Sequence, residues 1–165
     1  MWYVLGTIAI VLLSYMLWRF ARFRYLTFPP IAIADDDPLM LQAYLKARAD
    51  VERFKAFFAE RPHACTVKIP FRTDQGAVEH LWGEPKEVTE ESVRVALVNR
   101  PVSQVGSVPT EINVPLNEIS DWQVLNSDDT ITGGFTTHVM FIRAKEQWGE
   151  LPAQLAEQQK RFIDL

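Results

Sequence analysis

The segment ACTVKIPFRTDQGAVEHLW, residues 64–82, alternates apolar and polar side chains with a period of two residues. Val67, Ile69 and Phe71 fall on one face of a predicted strand, and Lys68 and Arg72 fall on the other. The sequence Asp-Gln-Gly at positions 74–76 predicts a turn, after which residues 78–82 form the returning strand. The segment therefore predicts an antiparallel β-hairpin.

Further alternating segments follow the hairpin and predict four more strands. They cover residues 93–97, 112–116, 122–125 and 135–142. Pro115 cannot donate a hydrogen bond to a central ladder, so it predicts a strand that lies at a sheet edge or ends there. The polar residues 126–129 predict a turn, and Gly133-Gly134 predicts a β-bulge or a close backbone approach. Short turns between consecutive strands indicate antiparallel pairing.

A helix precedes the strands and carries a clear start signal. Three aspartates at positions 35–37 stand before Pro38, a pattern typical of an Asp N-cap followed by proline at the first helical position. An apolar stripe follows this N-cap at steps of three and four residues until Pro62 ends the helix: Met40, Tyr44, Ala47, Val51, Phe54 and Phe58. Residues 151–162 predict a second, short helix near the C-terminus. We expect an α+β domain in which one long helix packs on a curled antiparallel sheet or small open barrel of five to six strands.

The chain begins with eighteen residues that carry no charge, and a collar of arginines follows directly. Residues 2–18 number seventeen, which is at the lower end of the roughly 17–25 that a bilayer core requires. We therefore expect a transmembrane anchor over residues 1–25, with residues 2–18 in contact with lipid. The aromatic and cationic residues at its ends are of the types that anchor a helix in a bilayer: Trp2, Tyr15, Trp18, Arg19, Arg22 and Arg24.

Three other interpretations of this segment fit it less well than the anchor. The buried helix of a soluble domain would rarely run for seventeen residues without a charge. An amphipathic helix at the membrane surface needs a polar face, which Thr7 and Ser14 do not make. A cleaved signal peptide begins with positive charge, which is missing here, although residues 32–34 (Ala-Ile-Ala) resemble a cleavage site. The anchor is the interpretation that fits the segment best.

The distribution of charge predicts both orientation and partners. Lysine and arginine stay on the cytoplasmic side of a membrane, and none precedes residue 19, so we expect the N-terminus outside and the domain in the cytoplasm. The single cysteine, Cys65, agrees with a reducing compartment. All twenty-one Asp and Glu residues but only fourteen of the seventeen Lys and Arg residues lie beyond residue 25, which gives that part a net charge of −7. An acidic domain repels nucleic acid and favours a basic protein partner.

These features divide the chain into four parts. Residues 1–25 are the anchor with its arginine collar, and residues 26–34 form a linker in which Pro29 and Pro30 stop a helix. Residues 35–145 form the α+β domain, and residues 146–165 form a helical tail.

Four residues are the candidates for chemistry: Glu79, His80, Asp121 and His138. Glu79 and His80 combine a carboxylate with an imidazole, but neighbouring side chains of a strand point to opposite faces, which favours a structural His80 packed beside Trp82. Asp121 is either a general base or a turn residue whose carboxylate accepts backbone N–H groups. His138 follows two glycines and two threonines that could hold an anion, yet no helix is predicted there to supply the usual anion site. Three widely spaced histidines and one cysteine predict no metal site, and we expect no cofactor.

Several short motifs occur in a recognisable order. They are Asp37-Pro38, Ala47-Arg48, Val67-Lys68 with Phe71, Glu79-His80-Leu81-Trp82, Asn99 with Pro101, Ile119-Ser120-Asp121-Trp122 and Gly133-Gly134-Phe135-Thr136. Their order and spacing resemble a bacterial family known as domain of unknown function 2314, over residues ~37–142. The resemblance implies a compact bacterial α+β module and brings no catalytic residues. With the anchor predicted from the N-terminal residues, we expect a single-pass protein of a bacterial inner membrane. One departure is Gly83, where a larger residue is expected, and it predicts that the strand bends early.

Three functions are compatible with these observations. The first is a non-enzymatic protein-interaction module held at the membrane, with Trp122 and Trp148 on exposed turns as its contact surface. The second is a small hydrolase or transferase that uses Asp121 with Glu79 and His80 or His138, which requires these groups to converge around a pocket. The third is a structural accessory of an envelope complex, whose contacts resist salt better than those of a transient acidic module. The sequence favours the first.

Overall fold

Six strands form one open antiparallel sheet: β1 (Cys65–Arg72), β2 (Val78–Val88), β3 (Ser92–Leu97), β4 (Ile112–Pro115), β5 (Asp121–Leu125) and β6 (Ile131–Gly133). Their order across the sheet is β4-β3-β2-β1-β5-β6. A computed structural model of the protein describes residues 33–34 and 36–163. Strands β1 and β2 form the predicted hairpin, in which Val67 lies opposite Gly83 and Arg72 lies opposite Val78.

Within the described residues, four α-helices accompany the sheet: α1 (Pro38–Ala49), α2 (Val51–Glu60), α3 (Phe135–Trp148) and α4 (Ala153–Gln159). The predicted α+β class is confirmed, and the sheet takes the open form because β4 and β6 remain at its two ends. Pro115 ends the terminal strand β4, as its missing N–H predicts. The short helix near the C-terminus is also confirmed.

The predicted start of the first helix is confirmed, but the helix is not continuous. Oδ1 of Asp37 accepts hydrogen bonds from the backbone N–H groups of Leu39, at 2.9 Å, and Met40, at 3.1 Å. The expected single helix is divided into α1 and α2 at Asp50, whose backbone has φ −100° and ψ 18°. Aspartate competes with the helix for backbone hydrogen bonds, so it is a natural place for such a break.

The prediction of a strand over residues 135–142 is wrong, because these residues form the first half of α3. Apolar residues at 135, 139 and 142 fit a helix face, whereas those at 135, 139 and 141 also fit the alternation of a strand. The sixth strand is instead Ile131–Gly133, and the chain turns into α3 through Gly133 and Gly134, at φ +78° and +76°. A Cβ atom at Gly133 would overlap Trp122, so the predicted close backbone approach is confirmed.

The strand does not end at Gly83. Strand β2 continues to Val88, and its register with β3 shifts only between Pro85 and Glu87. A Cβ atom at Gly83 would overlap a methyl group of Val95 and the carbonyl oxygen of Ala96. The close packing of β2 against β3 therefore requires the small residue at this position.

The main core lies around Trp122, which is 0% exposed. The rings of Phe54 and Phe135 pack against it with centroids 5.8 and 5.7 Å away, and its Nε1 donates a hydrogen bond of 3.0 Å to the carbonyl oxygen of Ala47. The prediction that Trp122 lies on an exposed turn is wrong, because it falls at the second position of β5 under α1 and α2. Trp148, the other predicted contact residue, is half-buried.

A second, smaller core joins the C-terminal segment to the sheet. Phe162 packs edge-on against Phe141 with ring centroids 5.6 Å apart, and both contact Ile131. The backbone of Ile131 also pairs in parallel with Phe162, which extends the sheet beyond β6. Helix α3 passes residue 145, where the predicted domain ends, so the tail is continuous with the domain.

The predicted anchor, residues 1–25, lies outside the described residues, as does most of the predicted linker. In the part that is described, no helix combines the length and the apolar character needed to cross a bilayer.

Candidate functional site

A cluster of polar residues lies on one face of the sheet where β1, β2 and β5 meet. Lys68 on β1 stands opposite Trp82 on β2 and opposite Asp121 on β5. Directly opposed residues share a face, so these three side chains lie side by side. Helix α3 adds Thr136, whose Oγ1 accepts a hydrogen bond of 3.2 Å from Nζ of Lys68. Lys68, Asp121 and Thr136 are all buried.

Asp121 organises this cluster through both of its carboxylate oxygens. Oδ1 accepts hydrogen bonds from the backbone N–H groups of Trp122, at 2.8 Å, and Phe135, at 3.2 Å. Oδ2 accepts bonds from the N–H of Thr136, at 2.8 Å, and from its Oγ1, at 2.6 Å. The first turn of a helix leaves N–H groups without helical partners, and Asp121 supplies those partners to α3 from another strand. The structural interpretation of Asp121 is thus supported, with a helix cap in place of a turn.

Asp121 and Lys68 are buried groups of opposite charge, and each affects the pKa of the other. Burial raises the pKa of Asp121 from 3.8 to about 6, while its bonds to Thr136 and Trp122 and the charge of Lys68 act in the opposite direction. Burial also lowers the pKa of Lys68, and the charge of Asp121 partly restores it. Asp121 is 0% exposed, so a substrate would reach it only if the first turn of α3 moved away.

His80 belongs to a neighbouring set of contacts. Its Nδ1 lies 2.6 Å from Oγ of the buried Ser120, and its ring stacks on Tyr44 of α1 with centroids 5.1 Å apart and planes inclined by 13°. Its Nε2 lies 3.5 Å from the hydroxyl of Tyr44. The expectation of a hydrogen-bonded, packed histidine is met, but the aromatic ring against which it stacks is Tyr44 rather than Trp82.

Glu79 points to a different part of the molecule, as neighbouring strand positions require. Its carboxylate accepts hydrogen bonds from the N–H of Val102, at 2.7 Å, and from the N–H of Ser103, at 2.7 Å, and also from the hydroxyl of Ser103. These bonds lower the pKa of Glu79, and the bond from the Ser103 hydroxyl has the largest effect. Glu79 therefore holds the chain that follows β3.

Asp74, in the turn of the β1–β2 hairpin, holds the same segment at a second point. Its carboxylate accepts hydrogen bonds from the N–H groups of Val105, at 3.1 Å, and Gly106, at 2.7 Å, and these bonds lower its pKa. Arg100 closes the segment by donating a bond of 2.8 Å to the carbonyl oxygen of Gly106. We call residues 98–106 the valine loop, because its three valines are exposed.

The valine loop presents apolar side chains on a defined backbone. Val102 is 95% exposed and Val105 is 77% exposed, and Val98 at the start of the loop is also exposed. The three residues that fix the loop backbone, Asp74, Glu79 and Arg100, are charged, and their bonding groups are used within the protein. Ordered surface loops that carry exposed apolar groups are common sites of protein contact.

His138 lies apart from the other candidates, on α3, where it lines a cavity between α1 and α3. Within residues 33–34 and 36–163, Nδ1 of His138 is buried and has no hydrogen-bond partner. Burial, followed by the charges of Lys46 and Lys145, lowers the pKa of His138.

The four candidates therefore contact four different parts of the described structure. Glu79 bonds the valine loop, His80 bonds Ser120, Asp121 bonds the start of α3, and His138 faces α1. No group of three or more histidine, cysteine or acidic side chains in the described part of the chain is arranged to hold a metal ion.

Two features of the site were not predicted from the sequence. The pairing of Lys68 with Asp121 and Thr136 links residues that are 53 and 68 positions apart, and no local pattern indicates it. The valine loop, by contrast, is indicated by a pattern in the sequence. Three valines within nine residues that also contain Pro101 and Gly106 are unusual for a polar connection, and they mark an apolar loop.

Comparison with known proteins gives the chain a family but not an activity. No curated protein matches the chain, and no solved structure matches it. The model of the family described as "Uncharacterized protein conserved in bacteria (DUF2314)" matches residues 37–150, which extends the resemblance predicted for residues ~37–142 to the end of α3. Because the match covers more than half of the 165 residues, the chain belongs to this bacterial family of domains of unknown function.

Proposed function

We propose that the protein is a non-enzymatic interaction module that residues 2–18 tether to the bacterial inner membrane, with the folded domain in the cytoplasm. The observation that carries the proposal is the valine loop, because two carboxylates are used to hold its exposed valines in one arrangement. A loop that is ordered before binding loses less conformational entropy when a partner binds. Asp74 and Glu79 act as supports of this contact surface.

The partner that fits is a membrane-associated protein with an apolar patch inside a basic surface. The net charge of −7 beyond residue 25 attracts a basic surface over distances of about 10 Å, the screening length at moderate salt. Burial of each exposed valine then contributes about 1–1.5 kcal/mol at short range. The tether raises the effective concentration toward other proteins of the same membrane.

The buried state of Asp121 also supports a non-enzymatic role. A general base must lie within hydrogen-bond reach of the proton that it removes, and both oxygens of Asp121 accept hydrogen bonds from the protein itself. Glu79 and His80 are similarly engaged by the valine loop and by Ser120.

The test is a pull-down from detergent-solubilised bacterial membranes with the full-length protein as bait. We expect the variant Val102→Ser/Val105→Ser to lose a partner that the wild-type protein retains. The matched control is Leu45→Gln, which removes an exposed apolar side chain from α1 and should retain that partner. Raising the salt concentration should weaken the contact, because its long-range part is electrostatic.

Two results would contradict the proposal. One is the recovery of the same proteins by wild type and by the valine variant. The other is a wild-type pull-down that yields only the protein itself. A partner that is lost from the valine variant but resists high salt would instead favour the structural accessory of an envelope complex.

A further inference from the structure

The edge of β6 is covered by the segment that follows α4. The backbone N–H of Ile131 donates a hydrogen bond of 2.6 Å to the carbonyl oxygen of Arg161, and its carbonyl oxygen accepts one of 3.0 Å from the N–H of Ile163. Nε of Arg161 also donates a bond of 2.8 Å to the carbonyl oxygen of Asp129, in the loop between β5 and β6. The segment therefore pairs with β6 as a short parallel strand.

One side chain fixes this segment to the domain. Among residues 151–163, all of which the structure describes, Phe162 is the only buried residue, at 7% exposed. Its ring packs against Phe141 and Ile131, and a Cβ atom at Gly134 would overlap it, so the glycine makes room for the ring. The edge of β6 is thus built to receive an extended segment with a central aromatic side chain.

Residues 151–163, which we call the strap, form a unit of their own. The half-buried Leu151 and Leu155 join Phe162 in the second core, and no residue of the strap belongs to the main core around Trp122. The family model ends at residue 150, directly before the strap. A part of a protein that few buried contacts hold can open while the rest stays folded.

The connection between α3 and α4 can act as a hinge. Gly149 follows the last residue of α3 at φ +79°, and a Cβ atom there would meet nothing within 4 Å, so the chain has space to turn. Rotation at this point would carry the strap away from its own β6 and leave α3 in place. If two copies exchanged their straps, every contact of the second core would form again and only the hinge would change.

We propose that the edge of β6 is a strand-acceptor site through which two copies of the protein exchange their straps. In the exchanged pair, Phe162 of each copy packs beside Phe141 of the other. The occupant is a second copy because the segment already seated on the site is the chain's own, and every further copy carries an identical one. This site is separate from the valine loop, so the inference does not depend on the proposed function.

The exchange is tested with two differently tagged copies of the full-length protein, co-expressed and solubilised in an excess of detergent. We expect purification on either tag to recover both copies. After equilibration, an excess of a peptide of residues 151–163 should separate the pairs, because it competes for the acceptor site. The same peptide with Phe162→Ser lacks the aromatic anchor and should leave the pairs intact.

Two variants locate the contact. Phe162→Ser should lower the recovery of pairs about tenfold or more, whereas Ile163→Ser, at the neighbouring exposed position, should leave it unchanged. In protein labelled with ¹⁵N-isoleucine, the peptide should shift the amide signal of Ile131 in the Phe162→Ser variant and leave that of Ile69 in place. The wild type should need about tenfold or more peptide for the same shift, because its own strap occupies the site.

The proposal is overturned if the two tagged wild-type copies are not recovered together, or if the excess peptide leaves them paired. It is also overturned if Phe162→Ser pairs as well as the wild type. Pairs that are lost from Val102→Ser/Val105→Ser but not from Phe162→Ser would place the contact on the valine loop instead. Recovery and peptide competition use wild-type protein alone, so they decide the question even if a variant does not fold.

Discussion

At the scale of single residues, one buried carboxylate connects three elements of the fold. Asp121 belongs to β5, accepts hydrogen bonds from the first residues of α3, and stands opposite Lys68 of β1. Since it is 0% exposed, its lost hydration must be replaced by these partners. The residue thereby couples the formation of α3 to the pairing of β5 with β1.

Substitution of Asp121 by alanine should destabilise the protein strongly. The change leaves the N–H groups of Phe135 and Thr136 and the charge of Lys68 buried without the acceptor, and we expect a loss of about 3–5 kcal/mol in the free energy of unfolding. The measurement is urea unfolding of the full-length protein in detergent, followed by tryptophan fluorescence. Glu157→Ala, at an exposed position of α4, is the control and should leave the midpoint unchanged. Equal midpoints for both variants would show that Asp121 does not cap α3.

The raised pKa of Asp121 predicts how the stability of the folded protein depends on pH. Its pKa in the folded protein, about 6, is higher than its ordinary value of 3.8, so between these pH values the folded state binds more protons than the unfolded state. The stability that this group contributes is complete below pH ~3.8 and is lost as the pH rises to ~6, by about 3 kcal/mol in total.

Other carboxylates must be separated from this effect. The pKa values of Asp74 and Glu79 are lowered by their bonds to the valine loop, and they act with the opposite sign as the pH falls. The measurement is therefore the difference in unfolding free energy between wild type and Asp121→Asn, which cannot ionise, across pH 4–7. We expect this difference to change most between pH ~4 and ~6. A difference that is flat over that range would contradict the raised pKa.

At the scale of elements, the junction between β6 and α3 depends on glycine. Gly133 and Gly134 both have positive φ values, and Gly133 lies directly against Trp122. The same two residues allow the chain to end a strand, reverse, and place the first turn of α3 on the carboxylate of Asp121. A side chain at this junction would separate the helix from its cap.

A pair of alanine substitutions separates the two requirements at this junction. Gly133 and Gly149 have nearly equal φ values, +78° and +79°, but a Cβ atom at Gly149 would meet nothing within 4 Å, whereas one at Gly133 would overlap Trp122. In both variants the alanine is held at a positive φ, which lowers the free energy of unfolding by about 1–2 kcal/mol. Gly133→Ala should lose about 1–3 kcal/mol more, because it also forces Trp122 to move.

Thermal or urea unfolding of the two variants measures that difference directly. A loss of near-ultraviolet circular dichroism from Trp122 should accompany Gly133→Ala and be absent from Gly149→Ala. If the two variants are equally stable, the contact with Trp122 does not contribute to the cost of Gly133→Ala, and backbone strain alone accounts for the requirement for glycine.

At the scale of the whole molecule, the proposed tether determines where the acidic domain can act. Residues 2–18 carry no charge and are mostly apolar, and the arginine collar adds charge that suits the cytoplasmic leaflet. The domain that follows is repelled by anionic lipid, so we expect it to contact the membrane through its anchor and its partner. The proposed role depends on this arrangement.

Cell fractionation tests the tether. We expect the full-length protein to sediment with membranes and to resist extraction by high salt, because the hydrophobic contribution of residues 2–18 is insensitive to screening. A chain that lacks residues 1–25 should remain in the supernatant. In spheroplasts, external protease should leave the domain intact. Full-length protein in the soluble fraction, or a domain digested from outside, would contradict the tether or its orientation respectively.

Local patterns predicted most of the elements of this fold, and they failed where two patterns coincide. The hairpin of β1 and β2, the cap at Asp37 and the edge position of Pro115 each follow from the chemistry of neighbouring residues. Residues 135–142 fit both a strand and a helix, and the pairing of Asp121 with the start of α3 decided between them. That bond joins residues fifteen positions apart, beyond the reach of any local pattern.

By itself, the sequence determined the α+β class, the antiparallel pairing, the first helix cap and the family, because periodicity, turn residues and capping act between near neighbours. Only the tertiary structure decided that Trp122 is buried, that Glu79 and Asp74 hold the valine loop, and that His138 faces a cavity beside Lys46. The reason is physical. A carboxylate or an imidazole acquires its role from the groups that replace its water, and the fold brings those groups from distant parts of the chain.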